Sequence, residues 1–310
     1  MIGPLLKDDE LDDLDFDEAR SLVHTCDMAL RLLEPFRTFV EEDERRNRVQ
    51  PGHRPIAATL TEQRRMDPAI AEVVSKAFYK GTLRTEERRA RAAVEEAPPF
   101  VHLGAMPVVV DFPHVSSTGR SDALERSRPR WHNPSEVAAV IDVLRQVRAR
   151  EGSEQPSLAI LTPYKVQAKK LHERLDALRR QELKHLDDFK AIRSNGDFIG
   201  TVDSFQGGEA DLMILSLVRN NAMAGGRALG FLRDSRRMNV ALSRAKSQLI
   251  LVGSLDFLRE TVRGVNPDNE THDLSFLTEV VAAITALRDT TRNGLPLASF
   301  LKPDALRQRV

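Results

Sequence analysis

The chain has the length and composition of an ordinary globular protein, with 310 residues and a hydrophobic content of 41%. Its 46 Lys and Arg residues equal its 46 Asp and Glu residues, so the overall charge does not favour nucleic acid, and any such contact has to be local. The single cysteine, Cys26, excludes an internal disulfide and is typical of a reducing compartment. Because no long uncharged apolar run is present and the start is acidic, we expect no membrane partner and a cytoplasmic location.

The first part of the chain predicts a helical segment ahead of the main domain. An acidic stretch leads into residues 19–40, where leucines and phenylalanines recur at helical spacing. Asp17 and Glu18 suit the first turn of this helix, which is predicted to continue to about Glu44. The prolines between 51 and 55 interrupt the pattern before a short predicted strand at 56–60. We therefore assign 1–55 to a helical linker and begin the main domain at residue 56.

From residue 56 onwards, predicted strands alternate with predicted helices. The predicted helices cover 68–79, 133–150 and 164–186, and the predicted strands cover 107–112, 157–161, 198–202, 212–217 and 248–252. Strands separated by helices indicate an α/β fold with a doubly wound parallel sheet, whose functional sites are expected at the carboxyl ends of the strands. This domain is predicted to end at 262, and 263–310 is predicted to add one helix, 274–288, and a tail.

Two segments stand out within this domain. The first, T-V-D-S-F-Q-G-G-E at 201–209, couples a β-favouring run to a Gly-Gly turn that brings a glutamine and a carboxylate close together, as contact with ribose and phosphate requires. The second, R-R-M-N-V-A-L-S-R-A-K at 236–246, predicts a helix with Arg237, Ala241 and Arg244 at i, i+4 and i+7. Two guanidiniums on one face, separated by a methyl group, would leave room for an anion.

Further segments complete a series with a recognisable order. They are L-T-E-Q-R-R-M-D-P-A-I-A at 60–71, F-Y-K-G-T-L at 78–83, I-L-T-P-Y-K-V-Q at 160–167 and G-F-L-R-D-S at 230–235. Together with the two segments above, they resemble the second motor domain of superfamily 1 nucleic-acid helicases of the up-frameshift type. The resemblance spans roughly 57–257. It implies a RecA-like parallel sheet flanked by helices, a P-loop NTPase fold that in this second domain lacks the P-loop.

The resemblance implies roles in ATP chemistry for several residues. Arg244 corresponds to an arginine finger on the γ-phosphate, Arg65 takes a similar role, and Arg237 is a third catalytic candidate. The cofactor-binding candidates are Gln63, Gln206, Gly207 and Glu209. Among them, Glu209 would accept from the ribose hydroxyls, and Gln206 would link nucleotide state to nucleic-acid binding. The structural alternatives are a surface arginine for Arg244, an ion pair with Asp234 for Arg237 and ordinary turn residues for the others.

The resemblance also implies a path for nucleic acid. Its candidate residues are Thr162, Tyr164, Thr201, Asp203 and Ser204. Hydroxyls and backbone N–H groups suit phosphate without reading bases, and Tyr164 would stack on a base or a sugar. The structural alternatives are loop capping for 201–204 and packing of Tyr164 on Pro163.

The chain departs from the family pattern in two ways. Family members carry Q-Y-R-M-H-P where this chain has Q-R-R-M-D-P, so Arg64 replaces a tyrosine and Asp67 replaces a histidine. The whole first motor domain is also missing from the sequence. No Gly-Lys pair is present to build the P-loop G-x-x-x-x-G-K-[ST], and Asp17-Glu18-Ala19 follows no buried strand that would make it the acidic metal motif. We propose no metal site, and the Mg²⁺ implied would arrive with ATP.

The leading hypothesis is therefore the C-terminal motor half of an ATP-dependent helicase. Its ATP hydrolysis would need a first motor domain, in cis or on another chain, so the isolated chain is predicted to be inactive. Its other partner would be single-stranded DNA or RNA, and the sequence does not distinguish between the two. The alternative is a non-catalytic adaptor for nucleic acid or protein, derived from a helicase half, which the changes at Arg64 and Asp67 favour and the intact Glu209 and Arg244 oppose.

Overall fold

A computed structural model describes most of the chain. The described residues are 35–50, 52, 61–101, 103–115, 125–126, 131–192, 196–205, 207–223, 225–264, 273–292 and 295–308. They fall into two compact units, 1–60 and 61–310. In the first unit, helix α1 (Pro35–Val49) ends five residues beyond the predicted end at Glu44, and the strand predicted at 56–60 lies outside the described residues.

The second unit is built on a parallel sheet. Its strands are β4 (Val108–Asp111), β6 (Ser157–Thr162), β7 (Lys190–Ala191), β8 (Ile199–Thr201), β9 (Ala210–Ser216), β10 (Ala245–Gly253) and β13 (Ser299–Leu301). In the described part of the chain their order is β13-β4-β10-β9-β6-β7, with β8 paired to the far end of β6, and every pairing is parallel. One register row joins Val108, Ile250, Ile214 and Ile160 across the middle. The predicted α/β class with a RecA-like parallel sheet is confirmed.

Helices cover both faces of the sheet. On one face lie α2 (Pro68–Phe78), α7 (Ser235–Leu242), α8 (Leu255–Arg263) and α9 (Ser275–Asp289); on the other lie α4 (Pro134–Leu144), α5 (Lys165–Arg179) and α10 (Pro303–Arg307). Successive strand residues point to opposite faces, so Leu215 and Leu251 join the first core while Ile214 and Ile250 join the second. Continuously apolar central strands follow from burial on both faces.

Smaller elements connect these layers. They are β1 (Glu62–Gln63), β2 (Arg84–Thr85), α3 (Glu87–Glu95), β3 (Phe100–Val101), β5 (Arg148–Ala149), α6 (Gly226–Leu229), β11 (Thr291–Arg292), β12 (Leu295–Pro296) and 3₁₀ turns at Lys184–Asp188, Asp203–Phe205 and Gly230–Arg233. The pairing of β5 with β3 ends α4 at Leu144 rather than near Arg150. Similarly, α5 ends at Arg179 and the 3₁₀ turn covers the rest of the helix predicted to 186.

The C-terminal segment belongs to the same unit as the sheet. Helix α9 lies within one residue of its predicted bounds, and it buries Val280, Ile284 and Leu287 in the same core as α2. After α9 the chain adds β13 beside β4, with Ser299 opposite Val108. The sequence divided the chain at 262 because 263–310 looked like an appended helix and tail. The structure gives this segment a strand of the sheet and a buried helix face.

Candidate functional site

Two arginines from distant parts of the sequence lie close to one carboxylate. Arg65 follows β1, and its Nε donates to Glu209 Oε2 at 2.7 Å while its Nη1 donates to the carbonyl oxygen of Ser243 at 3.3 Å. Arg244 is partly buried, and its Nε has no hydrogen-bond partner among the described residues. Burial lowers the pKa of Arg244, the charge of Arg65 lowers it further, and Glu209 opposes the shift. We call Arg65, Arg244 and Glu209 the charged cluster.

The charged cluster lies at the amino ends of two central strands. Glu209 immediately precedes β9 and Arg244 immediately precedes β10, and the N–H of Ala210 donates to the carbonyl oxygen of Arg244 at 3.1 Å. Thr162 and Thr201, by contrast, are the last residues of β6 and β8 and lie opposite each other in register. The expectation that all sites lie at the carboxyl ends of the strands is therefore wrong for the charged cluster.

The prediction that Arg237 and Arg244 lie on one face of the same helix is also wrong. Helix α7 ends at Leu242, and Arg244 lies in the link to β10, because Ala245 already pairs with Ala210 of β9. Ala241, predicted to lie between the two cations, is fully buried.

Arg237 has neighbours that differ from those of Arg244. It remains on α7, where its Nε is 3.6 Å from Asp203 Oδ1 and 3.7 Å from Asp234 Oδ2, and its guanidinium lies 5.2 Å from the centre of the Phe231 ring. Asp203 is one of the residues predicted to contact nucleic acid. Arg237 therefore links α7 to that predicted path.

Gln63 shapes the loop that carries Arg65. Its Oε1 accepts from the N–H groups of Arg65 and Met66 at 2.9 and 2.7 Å, and its Nε2 donates to Thr85 Oγ1 at 2.7 Å. The side-chain amide predicted to bind nucleotide is thus occupied by its own loop and by β2. Gly207 has a positive φ of 88° in the turn before Glu209, and Gln206 lies outside the described residues.

The residues predicted to contact nucleic acid lie in two adjacent loops. The hydroxyl of Ser204 accepts from the Thr201 N–H at 3.0 Å and donates to the Thr201 carbonyl at 2.9 Å, which closes the turn after β8. Thr162 is fully buried, and its Oγ1 has no partner within the described part of the chain. A cavity of about 400 Å³ beside these loops is lined in part by Thr201 and Ser204 and by Lys165, Lys169 and His172.

Tyr164 opens helix α5 and uses its hydroxyl internally. The hydroxyl accepts from the Phe231 N–H at 3.2 Å, and the two rings meet edge to face with their centres 6.5 Å apart. Burial raises the pKa of Tyr164. Tyr164 as a residue is partly exposed, and stacking of its ring on a base stays a prediction.

Sequence reasoning missed a buried polar network between these loops and α4. Glu136 is 1% exposed; its Oε2 accepts from the hydroxyl of Ser216 at 2.7 Å and from the N–H of Val218 at 2.8 Å. The Ser216 hydroxyl in turn accepts from Gln167 Nε2 at 2.9 Å. Burial raises the pKa of Glu136 to about 8. The segment N-P-S-E predicted only the start of a helix, which Asn133 caps by accepting from the Glu136 N–H at 3.2 Å.

Two further features of the described residues bear on chemistry. Among them, no group of three or more His, Cys, Asp or Glu side chains is arranged to hold a metal ion. No described helix combines the length and the apolar character needed to cross a membrane.

The described strands form a parallel RecA-like sheet, and the helicase segments lie at the ends of these strands, as expected of a superfamily 1 helicase-type domain. The chain belongs to the family described as "AAA domain", whose model matches residues 44–256. Together with the helicase relatives described next, this match confirms the resemblance to superfamily 1 helicases.

Curated relatives agree with this assignment. The chain is 31% identical over 211 residues to mouse "5'-3' DNA helicase ZGRF1", covering 67% of this chain and 10% of that protein. It is 32% identical over 218 residues to "Regulator of nonsense transcripts 1 homolog" of Arabidopsis thaliana, covering 66% of this chain and 15% of that protein. The C-terminal domain of a possible DNA helicase from Lactobacillus, a solved structure, is 14% identical over 77% of this chain and 98% of its own, with a TM-score of 0.35. The chain spans no more than 15% of the length of the mouse and Arabidopsis relatives.

Proposed function

We propose that this chain is the second motor half of an ATP-dependent superfamily 1 helicase. In this proposal, Arg244 and Arg65 contact the phosphates of ATP that a first motor domain holds, in cis or on another chain. The observation that carries the proposal is the state of Arg244, a partly buried guanidinium next to a second cation, whose Nε has no hydrogen-bond partner in the part of the chain that the structure describes. Glu209 pairs with Arg65, whereas Arg244 Nε has no hydrogen-bond partner among the described residues. A phosphate oxygen would supply that partner and reduce the repulsion between the two cations, and a planar guanidinium matches phosphate oxygens in geometry.

The ion pair in the charged cluster is compatible with exchange for a ligand. The side chains of Arg65 and Glu209 are 37% and 46% exposed, and an exposed ion pair contributes little to stability. A phosphate group would therefore compete with Glu209 for Arg65 at a small cost. Glu209, once released, is an acceptor for a ribose hydroxyl, as predicted from its segment.

Each residue then has a defined task in hydrolysis. Arg244 and Arg65 would stabilise the charge that spreads over the transferred phosphoryl oxygens, where an arginine finger has its effect. Mg²⁺ bound with ATP supplies further neutralisation of the phosphates. Gln63 would hold the loop of Arg65 in shape through the two N–H groups that it binds.

The segment 202–209 offers a route between nucleotide and nucleic acid. It starts after Thr201, at the carboxyl end of β8, and ends at Glu209, at the amino end of β9. The segment therefore connects the side of the sheet where the parallel strands end to the side where they begin. Val202 and Phe205 anchor it in the core. Single-stranded DNA or RNA bound at Thr162, Tyr164, Thr201, Asp203 and Ser204 would thus be joined to the charged cluster by one short stretch of chain.

The test is an ATPase assay with the two motor halves as separate polypeptides. We expect no turnover from this chain alone and strand-stimulated turnover after a superfamily 1 first motor domain is added. Since an arginine finger contributes about 10³-fold or more to kcat, Arg244→Ala should abolish detectable stimulation, and Arg65→Ala should lower it by about 10²-fold. Arg64→Ala is the matched control, because Arg64 adjoins Arg65 but pairs with the exposed Glu62.

Two results would contradict the proposal. One is turnover in the Arg244→Ala mixture equal to that of the wild type. The other is a wild-type mixture that binds single strands but shows no ATP hydrolysis above its separate components, which is the behaviour of an adaptor. The change to Asp67 does not favour the adaptor, because this residue has a local task as the cap of α2, accepting from the Ala69 N–H at 2.9 Å.

A further inference from the structure

Arg89 connects the two loops that carry the arginines of the charged cluster. It lies on α3, a helix none of whose residues is fully buried, and its side chain reaches inward from that helix. Its Nε donates to the carbonyl oxygen of Arg65 at 3.2 Å, and its Nη2 donates to the carbonyl oxygen of Lys246 at 2.9 Å. One guanidinium therefore binds the backbone at Arg65 itself and the backbone two residues after Arg244.

Besides the bonds of Arg89, the described contacts between these two loops include the bond from Arg65 Nη1 to the carbonyl oxygen of Ser243 at 3.3 Å. The loop of Arg65 follows the two-residue strand β1, which pairs with β2 and lies outside the main sheet. The loop of Arg244 is fixed to the main sheet through β10. The carbonyl oxygen of Lys246 also accepts from the Asp67 N–H at 2.7 Å, so the contact of Arg89 completes a two-donor connection at this oxygen.

The charge of Arg89 is available to the site as well. Within the described residues no carboxylate lies within ion-pair distance of its guanidinium, and its partners are neutral carbonyl groups. By comparison, Arg91 on the same helix has Glu87 at 3.5 Å and Lys246 has Asp211 at 2.9 Å. Arg89 thus places a third positive charge behind the two arginines that would meet a polyphosphate.

We propose that Arg89 is a positioning residue for ATP hydrolysis. It holds the backbones of the Arg65 and Arg244 loops at the separation that lets both guanidiniums reach one phosphoryl group. This inference rests on the proposed motor function. A planar fork with fixed N–H directions can hold two carbonyls at once, which a lysine ammonium on a flexible stem does not reproduce.

The inference has a readout that does not depend on activity. The Lys246 carbonyl accepts from two described donors, Arg89 Nη2 and the Asp67 N–H. In the isolated chain without Arg89, the Asp67 N–H is the one of these two that still joins the loops. We expect Arg89→Gln to speed hydrogen exchange at the Asp67 amide about tenfold, measured by NMR, with the global unfolding midpoint unchanged. Arg88→Gln is the matched control, because Arg88 is its exposed neighbour on α3 and has no described partner.

The second readout is the split between kcat and KM in the reconstituted ATPase. Misplaced arginines lose contacts made in the transition state, so we expect Arg89→Gln and Arg89→Lys to lower kcat at least about tenfold and to change KM for ATP by less than about threefold. Arg88→Gln should match the wild type. Failure of the Lys variant to restore kcat separates positioning from charge alone.

The outcomes decide both claims separately. Unchanged exchange at Asp67 in Arg89→Gln overturns the positioning role, whatever the ATPase does. A rise in KM for ATP of about tenfold with kcat unchanged also overturns it, since that pattern indicates simple attraction of ATP. If the wild-type mixture has no ATPase activity while exchange at Asp67 is faster in Arg89→Gln, the connection between the loops stands and the motor proposal fails.

Discussion

Replacing Glu136 with glutamine should change how stability depends on pH. Glu136 is buried next to the end of β9, where it binds Ser216 and Val218, and burial raises its pKa from 4.5 to about 8. In the unfolded chain the carboxyl ionises near its ordinary pKa, whereas in the folded chain it stays protonated to a much higher pH. Its contribution to stability is therefore fully present below pH 4.5 and is lost as the pH rises towards about 8.

The expected size of this effect follows from the two pKa values. Between them the unfolded state binds one proton fewer than the folded state, so the free energy of unfolding falls by about 1.4 kcal/mol per pH unit. From about pH 5 to about pH 7.5, the loss is on the order of 3 kcal/mol. In Glu136→Gln this part of the pH dependence disappears. At the acidic end the variant should be less stable by about 1–3 kcal/mol. If the amide oxygen keeps the bonds from Ser216 and Val218, the NH2 group faces Asn133 Nδ2, a donor that Glu136 Oε1 accepts from at 3.3 Å.

Urea unfolding of wild type and variant at several pH values measures the difference directly. Other titrating groups contribute equally to both proteins and cancel in the comparison. The stability advantage of the wild type over the variant should shrink by about 3 kcal/mol from about pH 5 to about pH 7.5, so that it vanishes or reverses. A gap that stays constant within about 0.5 kcal/mol over this range would show that Glu136 is ionised in the folded state and that burial does not dominate its pKa.

Two further predictions concern single residues that shape the loops. Gly230 has a φ of +54°, and a Cβ there would lie 2.6 Å from Tyr164 Oη, so Gly230→Ala should lower the free energy of unfolding by about 2–4 kcal/mol. Gly152→Ala, at φ +73° with open space around the Cβ, should cost only about 1 kcal/mol in the same urea titration, and equal losses would refute the clash. Asp67→Ala should cost about 1 kcal/mol in thermal unfolding, whereas Asp67→Asn keeps a capping acceptor and should cost less; the reverse order would refute the cap.

The sequence alone predicted the elements whose signals are local. Continuous apolar and β-branched runs located the central strands, and helical spacing located the helices. Two helix starts carried a capping residue followed by proline, at Asp67-Pro68 and Asn133-Pro134. The helicase segments added the class of protein and drew attention to Arg65, Glu209 and Arg244. These signals are local because caps, periods and turns involve residues within a few positions of each other.

Only the tertiary structure decided how those elements form a site. Helical spacing placed Arg244 on the face of Arg237, yet the pairing of Ala245 with Ala210 across two strands ended the helix first. The contact of Arg65 with Glu209 likewise joins residues 144 positions apart. Pairing between strands and the burial of Glu136 depend on which surfaces meet after folding. Local propensity carries no information about those partners, and tertiary packing overrides it where the two conflict.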